Sequence, residues 1–272
     1  MMSRIAGLFA HLTVLLMLAC STANADDLYQ AQAIVTGEGA ENRQLGFARA
    51  LEQVLVKVSG DPRLAGEPAV AAMGAQAGTF VSKFRYRDRM AGIPVHDEQG
   101  TRDRPFDLTV DFIPEKIDAA LRSLGRKPWT EPRPRIVLFL GVQNGPTAYT
   151  LAADGERGRD LRDALAAEAG RLGMPALLPD QAALAEAGMS FGKLRAAVLL
   201  ALDEMAKSAG GDVALAGSLV WSDTALGWMA DWRLASLGKT YRWQIGGVSF
   251  DAAFRNGLGG AAQILSGHGP PS

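Results

Sequence analysis

Residues 49 to 64 read RALEQVLVKVSGDPRL, and the fold turns on whether this stretch is a helix or a strand. Its last part, Val54 to Val58, alternates as a strand would. Phe47, Leu51, Val54, Leu55 and Val58, however, fall at intervals of four, three, one and three, which places them on one face of a helix. Arg43, Arg49, Glu52, Gln53 and Lys57 take the remaining faces. The phase set by Phe47 and Leu51 predicts an amphipathic helix. Gly60 and Pro62 form its stop, because glycine enters the left-handed conformation that closes a helix and proline cannot continue one. The five apolar residues are expected to be buried against a sheet.

The strands of that sheet are read on either side. From Leu28 to Val35, Tyr29, Ala31, Ala33 and Val35 alternate with Gln30 and Gln32, the pattern of a half-buried strand. An alanine-rich helix is expected from Pro68 to Ser82, weakened by Gly74 and Gly78. Lys83 to Met90 then sets Lys83, Arg85, Arg87 and Arg89 in one row. As a strand, this row makes Arg85, Arg87 and Arg89 a candidate anion-binding surface. Its neighbour is expected to be Pro105 to Phe112, with Phe106, Leu108, Val110 and Phe112 inward and Asp107, Thr109 and Asp111 outward. Antiparallel pairing of the two would lay the aspartates beside the arginines and make the row a neutralised, solvated face. A further helix starts at Pro114, carries Ile117, Leu121 and Leu124, and stops at Gly125.

Pro128, Pro132 and Pro134 rule out a regular helix between Arg126 and Arg135 and favour a stiff extended join. Beyond it, Ile136 to Leu140 is a continuous apolar run, as for a strand covered on both faces, and it turns at Asn144-Gly145-Pro146. A helix from about Arg157 to Leu172 carries Leu161, Leu165 and Leu172 inward and Arg159, Asp160, Arg162, Asp163 and Glu168 outward. Pro175 to Leu178 is a short apolar segment, and a helical stretch follows whose clearest part is Lys193 to Lys207. Period-two runs around Val213 to Trp221, Trp228 to Leu234 and Tyr241 to Ile245 predict a three-strand antiparallel meander. A last helix carries Phe250, Phe254, Leu258 and Leu265. The expected class is α+β: two small layered α/β units, 26–125 and 136–266, joined by a proline-rich linker at 126–135 and ending in a disordered tail at 267–272.

At the other end, one base (Arg4), an apolar run from Ile5 to Cys20 and the triplet Ala23-Asn24-Ala25 have the layout of a secretory signal peptide at 1–25, cleaved after Ala25. A lipoprotein at Cys20 is the competing reading, which Met17 and Leu18 fit poorly. Removal of this segment leaves no cysteine, so a disulfide, a thiolate nucleophile or a cysteine-bound zinc has no residue to use. The full chain has 28 basic and 29 acidic residues. That balance argues against nucleic-acid binding, which draws on a basic excess. After the leader, no apolar run is long enough to span a membrane. The expected location is the periplasm or the outside of the cell.

Chemical motifs are few. Gly238-Lys239-Thr240 has Arg233 where a phosphate loop needs glycine, and a strand where it needs a helix; it reads as a hairpin turn. Gly37-Glu38-Gly39 has Asn42 in place of a third glycine. The segment Val95-His96-Asp97-Glu98-Gln99-Gly100, with Asp103, gathers metal-ligand types, but adjacent loop residues seldom converge on one ion, and it reads as a polar loop. No catalytic, cofactor-binding or metal site is assigned. Trp221, Trp228, Trp232 and Trp243 form a candidate recognition surface on the meander, with burial beneath Phe250 and Phe254 as the alternative.

The run from Ala48 to Asp61, behind a leader and the strand at Leu28, resembles the start of the bacterial family known as domain of unknown function 2066. Phe84-Arg85-Tyr86-Arg87 and the strand Ile136 to Leu140 after a proline-rich join are also similar. The resemblance implies an exported envelope protein with no catalytic residues to transfer. The strand-helix order of the second unit resembles the amino-terminal part of the Tol translocation protein at the level of fold. These observations together predict a non-enzymatic module that binds or assembles envelope components, its partner an envelope protein or a glycan. The alternative is a carboxylate-dependent hydrolase or sugar-binding protein, which requires an aromatic-lined pocket with two facing carboxylates.

Overall fold

A computed structural model describes residues 28–92 and 104–271. The leader at 1–25 and the polar loop around His96 lie outside the described residues. The class is α+β, with two sheets and, among the described residues, eight helices.

The first sheet has the order β1 (Gln30–Thr36), β3 (Pro105–Phe112), β2 (Val81–Asp88), antiparallel throughout. Helix α1 (Ala40–Ser59) lies across one face, and Phe47, Leu51, Val54, Leu55 and Val58 are all buried. Four carbonyls near the end of α1 are met by groups beyond or beside the regular helix. Leu55 accepts from Ser59 Oγ (2.7 Å), Val56 from Gly60 N (2.8 Å), Lys57 from the Arg133 guanidinium and Val58 from Trp129 N (2.7 Å). The proline-rich segment thus closes the helix end as it passes. Short α2 (Pro68–Gly74) and α3 (Pro114–Ser123) flank this unit.

The second sheet runs β5 (Thr147–Thr150), β4 (Ile136–Asn144), β7 (Val213–Ser222), β8 (Gly227–Ser236), β9 (Lys239–Val248), and β6 (Ala176–Leu177) pairs with the start of β4. β4 and β7 are parallel, and β7 to β9 form the antiparallel meander. One face carries α4 (Arg159–Leu172) and α8 (Phe250–Leu265); the other carries α5 (Gln181–Glu186), α6 (Phe191–Ala196) and α7 (Leu199–Ser208). A continuous core runs from α1 and the first sheet through α4 to β7, β8 and α8, so the two sheets share one apolar interior.

Local pattern and structure part company in four places. The helix from Pro68 ends at Gly74, which abuts Ala48 of α1, and Val81 onward is taken up by pairing with β3. The helix over 193–207 is broken at Ala197 and Val198, because Arg233 on β8 draws the carbonyls of Leu194 and Ala197 to its guanidinium (2.9 and 3.0 Å). Glu168 is buried instead of outward, paired with Arg171, because α4 packs on α8 as well as on the sheet. Finally, the tail expected to be disordered is tied down as far as Pro271. His268 N donates to Gln263 O, Gln263 Nε2 donates to Pro270 O, and Arg63 reaches His268 O.

Gly60 shows how closely the end of α1 approaches the segment after α8. It sits at φ +74°, and a Cβ there would stand 2.8 Å from both Ser266 Cβ and the Trp129 ring. Gly60→Ala is expected to cost about 2–4 kcal/mol, from left-handed strain added to overpacking. A urea titration followed by tryptophan fluorescence measures it.

Candidate functional site

Asp61 is a buried charge held by two arginines. Its side chain is fully buried, and Arg63 grips it with Nε and Nη2 at 2.8 Å each while Arg126 Nε lies 2.6 Å away. Burial pushes the carboxyl up, but the hydrogen bonds from the two arginines and from Arg63 N outweigh it and hold the pKa at about 2. Beside it, Ser266 Oγ lies 2.8 Å from His268 Nδ1. Serine, histidine and aspartate therefore meet, yet not as a nucleophile device. Both Asp61 oxygens are taken by arginines, so none orients the imidazole, and burial lowers the His268 pKa. The cluster joins the segment after α1 to the tail after α8.

The same join continues at Arg133, which stacks on Trp129 (4.6 Å to the ring centroid) and donates to the carbonyls of Lys57 and Leu172, the ends of α1 and α4. A cation at two helix C-termini complements both dipoles. Burial lowers its pKa to about 10.

Of the four meander tryptophans, Trp232 and Trp243 lie in the core and not on the surface. Both are buried, because Gly217 on β7 and Gly257 on α8 leave slots for the Trp232 ring and Gly260 leaves one for Trp243, whose indole N–H donates to Asn256 O (3.1 Å). A Cβ on Gly257 would lie 2.6 Å from that ring. Trp221 and Trp228 pack edge to face at the far end of β7 and β8 and are half-buried. The arginine row pairs with its own sheet. Arg87 lies 2.5 Å from Asp107, Arg89 lies 3.6 Å from the same carboxylate, and Arg85 lies 3.5 Å from Asp111. Asp107 is itself buried because β3 is the middle strand.

A polar cleft of about 390 Å³ opens between β5, the start of α4 and α5, lined by Tyr149, Thr150, Ala152, Asp154, Arg157 and Gln181. Asp154, its single carboxylate, accepts the Gln181 N–H (2.8 Å), and Arg157 stacks on Tyr149. Two facing carboxylates are not what it presents.

The sheet edges differ from one another. On β1 the outward carbonyls of Gln30, Ile34 and Thr36 are taken by Lys57, Arg49 and Asn42 of α1. The outer edge of β9, ten residues long, receives no hydrogen bond from another element among the described residues. Nor do α5 to α7 cover the β8–β9 end of their face. There a shallow cleft of about 240 Å³ is lined by Met229, Asp231, Gln244 and Gly246, among others. The composition of β9 made its period visible in the sequence; its free edge was not, because strand order is a tertiary fact.

Residues 22–130 match the model of a family described as Domain of unknown function (DUF8605), less than half of the chain. This portion of the chain is similar to an uncharacterised domain. The family found is not domain of unknown function 2066, although the matched span contains the stretch 48–61 on which that resemblance rests. Comparisons with the curated proteins and with the solved structures find no match. The matched span includes Asp61, Arg126 and Trp129 but stops short of Arg133, Ser266 and His268, which complete the same join.

Proposed function

We propose that this chain is an exported bacterial envelope protein that works in the periplasm by binding other envelope components, as an assembly module and not as a catalyst. The edge of β9, free among the described residues, carries the reading, because a long unpaired strand is a template for another chain, whereas α1 covers the corresponding edge of β1. The leader-like first 25 residues support the location. No helix among the described residues is long and apolar enough to cross a membrane.

The test combines cell fractionation with photo-cross-linking in living cells. A cross-linker is placed in turn at Ile34, Leu200 and Gln244, which are exposed on β1, α7 and β9. The expected result is a periplasmic protein with a discrete cross-linked partner from Gln244. Retention in the cytoplasm removes the location, and absence of adducts from all three positions removes the binding role.

A further inference from the structure

We infer that β9 accepts an added strand from a protein partner: an extended segment in which acidic residues face Arg242 and apolar residues alternate with them. This partner chemistry rests on the binding role proposed above and specifies what is bound. Arg233 and Arg242 stand directly opposite each other on β8 and β9, a like-charge pair that costs stability unless a counter-charge arrives. Arg233 spends its guanidinium on Leu194 O and Ala197 O. Arg242 is exposed, and its guanidinium makes no hydrogen bond or ion pair among the described residues. The nearby acid of β8, Asp231, faces Gln244 across the ladder, with Ser218 Oγ 3.5 Å from its Oδ2. The arginines of β2 differ, since Arg85 and Arg87 already have aspartates beside them on β3.

An added strand would carry every second side chain onto the Arg242 face and the others onto the face of Tyr241 and Ile245, which are half-buried against the main core. A carboxylate beside Arg242 supplies the missing charge, and apolar residues extend the core at Tyr241 and Ile245. The accepting length is Lys239 to Ile245, because the ladder register shifts beyond it and Gly247 turns at φ +70°. The C-terminal tail leaves this edge open, as its bonds go to α8 and Arg63. A second copy is the wrong occupant. β9 contains no acid, so self-pairing would gather Arg242 and Lys239 of both copies without compensation.

The probe is a fluorescein-labelled peptide of alternating valine and glutamate, compared with its valine–lysine counterpart and with the acidic peptide N-methylated along one edge. Binding to the full chain is followed by anisotropy and located by hydrogen exchange. The acidic peptide is expected to bind, to slow exchange in β9 and not in β1, and to lose at least tenfold in affinity to Arg242→Glu, a variant that instead favours the lysine peptide. Equal binding of the two charge types, undiminished binding of the N-methylated peptide, or protection elsewhere than β9 overturns the inference. If the acidic peptide fails to bind while Gln244 still cross-links to a partner in cells, strand addition falls and the binding role stands. If the acidic peptide fails to bind and none of Ile34, Leu200 and Gln244 gives an adduct, both fall.

Discussion

Asp61→Ala is expected to lower the unfolding free energy by about 3 kcal/mol, the low end of the range for breaking a buried ion pair because Arg63 is half-exposed and can turn to water. Arg126 is the more costly orphan, being about three-quarters covered. The variant also has a pH signature. The folded pKa of Asp61, at about 2, lies below the ordinary 3.8, so its contribution is fully present above about pH 4 and is lost as pH falls through 2. Urea midpoints of the parent and of Asp61→Asn should therefore converge between about pH 4 and pH 2. A constant gap across that window would mean that the carboxylate's charge is not what stabilises the join.

Trp232→Ala is expected to cost about 3–5 kcal/mol, as for other large buried aromatics. The more discriminating experiment concerns its slot. Gly257→Ala pushes a methyl group against the ring and should destabilise by about 1–3 kcal/mol, although alanine is the better helix former by about 1 kcal/mol. In the Trp232→Ala background the clash is gone and only propensity remains, so Gly257→Ala should become neutral or stabilising there. The coupling in this double-mutant cycle is measured by urea denaturation. Additive costs would show that the glycine serves the helix backbone and not the indole.

The same pair shows what the sequence could reveal. Period two announced the strand of Trp232, and period 3.6 announced the helix of Phe254 and Leu258. No pattern announced that glycines on two different elements enclose one indole, because the slot exists only once β7, β8 and α8 are stacked. The helix at Phe47 to Val58 was legible for the opposite reason: its face, charges and stop are all local. The break at Val198 and the burial of Glu168 escaped because distant partners, Arg233 for the first and the α8 layer for the second, override local phase. The β2 and β3 arginines and aspartates were legible as neighbours, since both runs alternate with period two and carry opposite charges on their outward positions. The accepting edge of β9 was not, since the same ten residues would read alike in the middle of a sheet.

The seat around Gly60 is filled by Ser266, 206 residues further along the chain. A ribosome therefore finishes α1 long before it makes the residue that seals that helix's end. Until then Asp61 and the Trp129 ring lack the cover that Ser266 and the tail supply, whatever the first sheet has achieved by itself. Contacts that span so much of the chain are slow to form. The seat is a stitch between segments 206 residues apart, and a chain cut anywhere before residue 266 is left with an open seam.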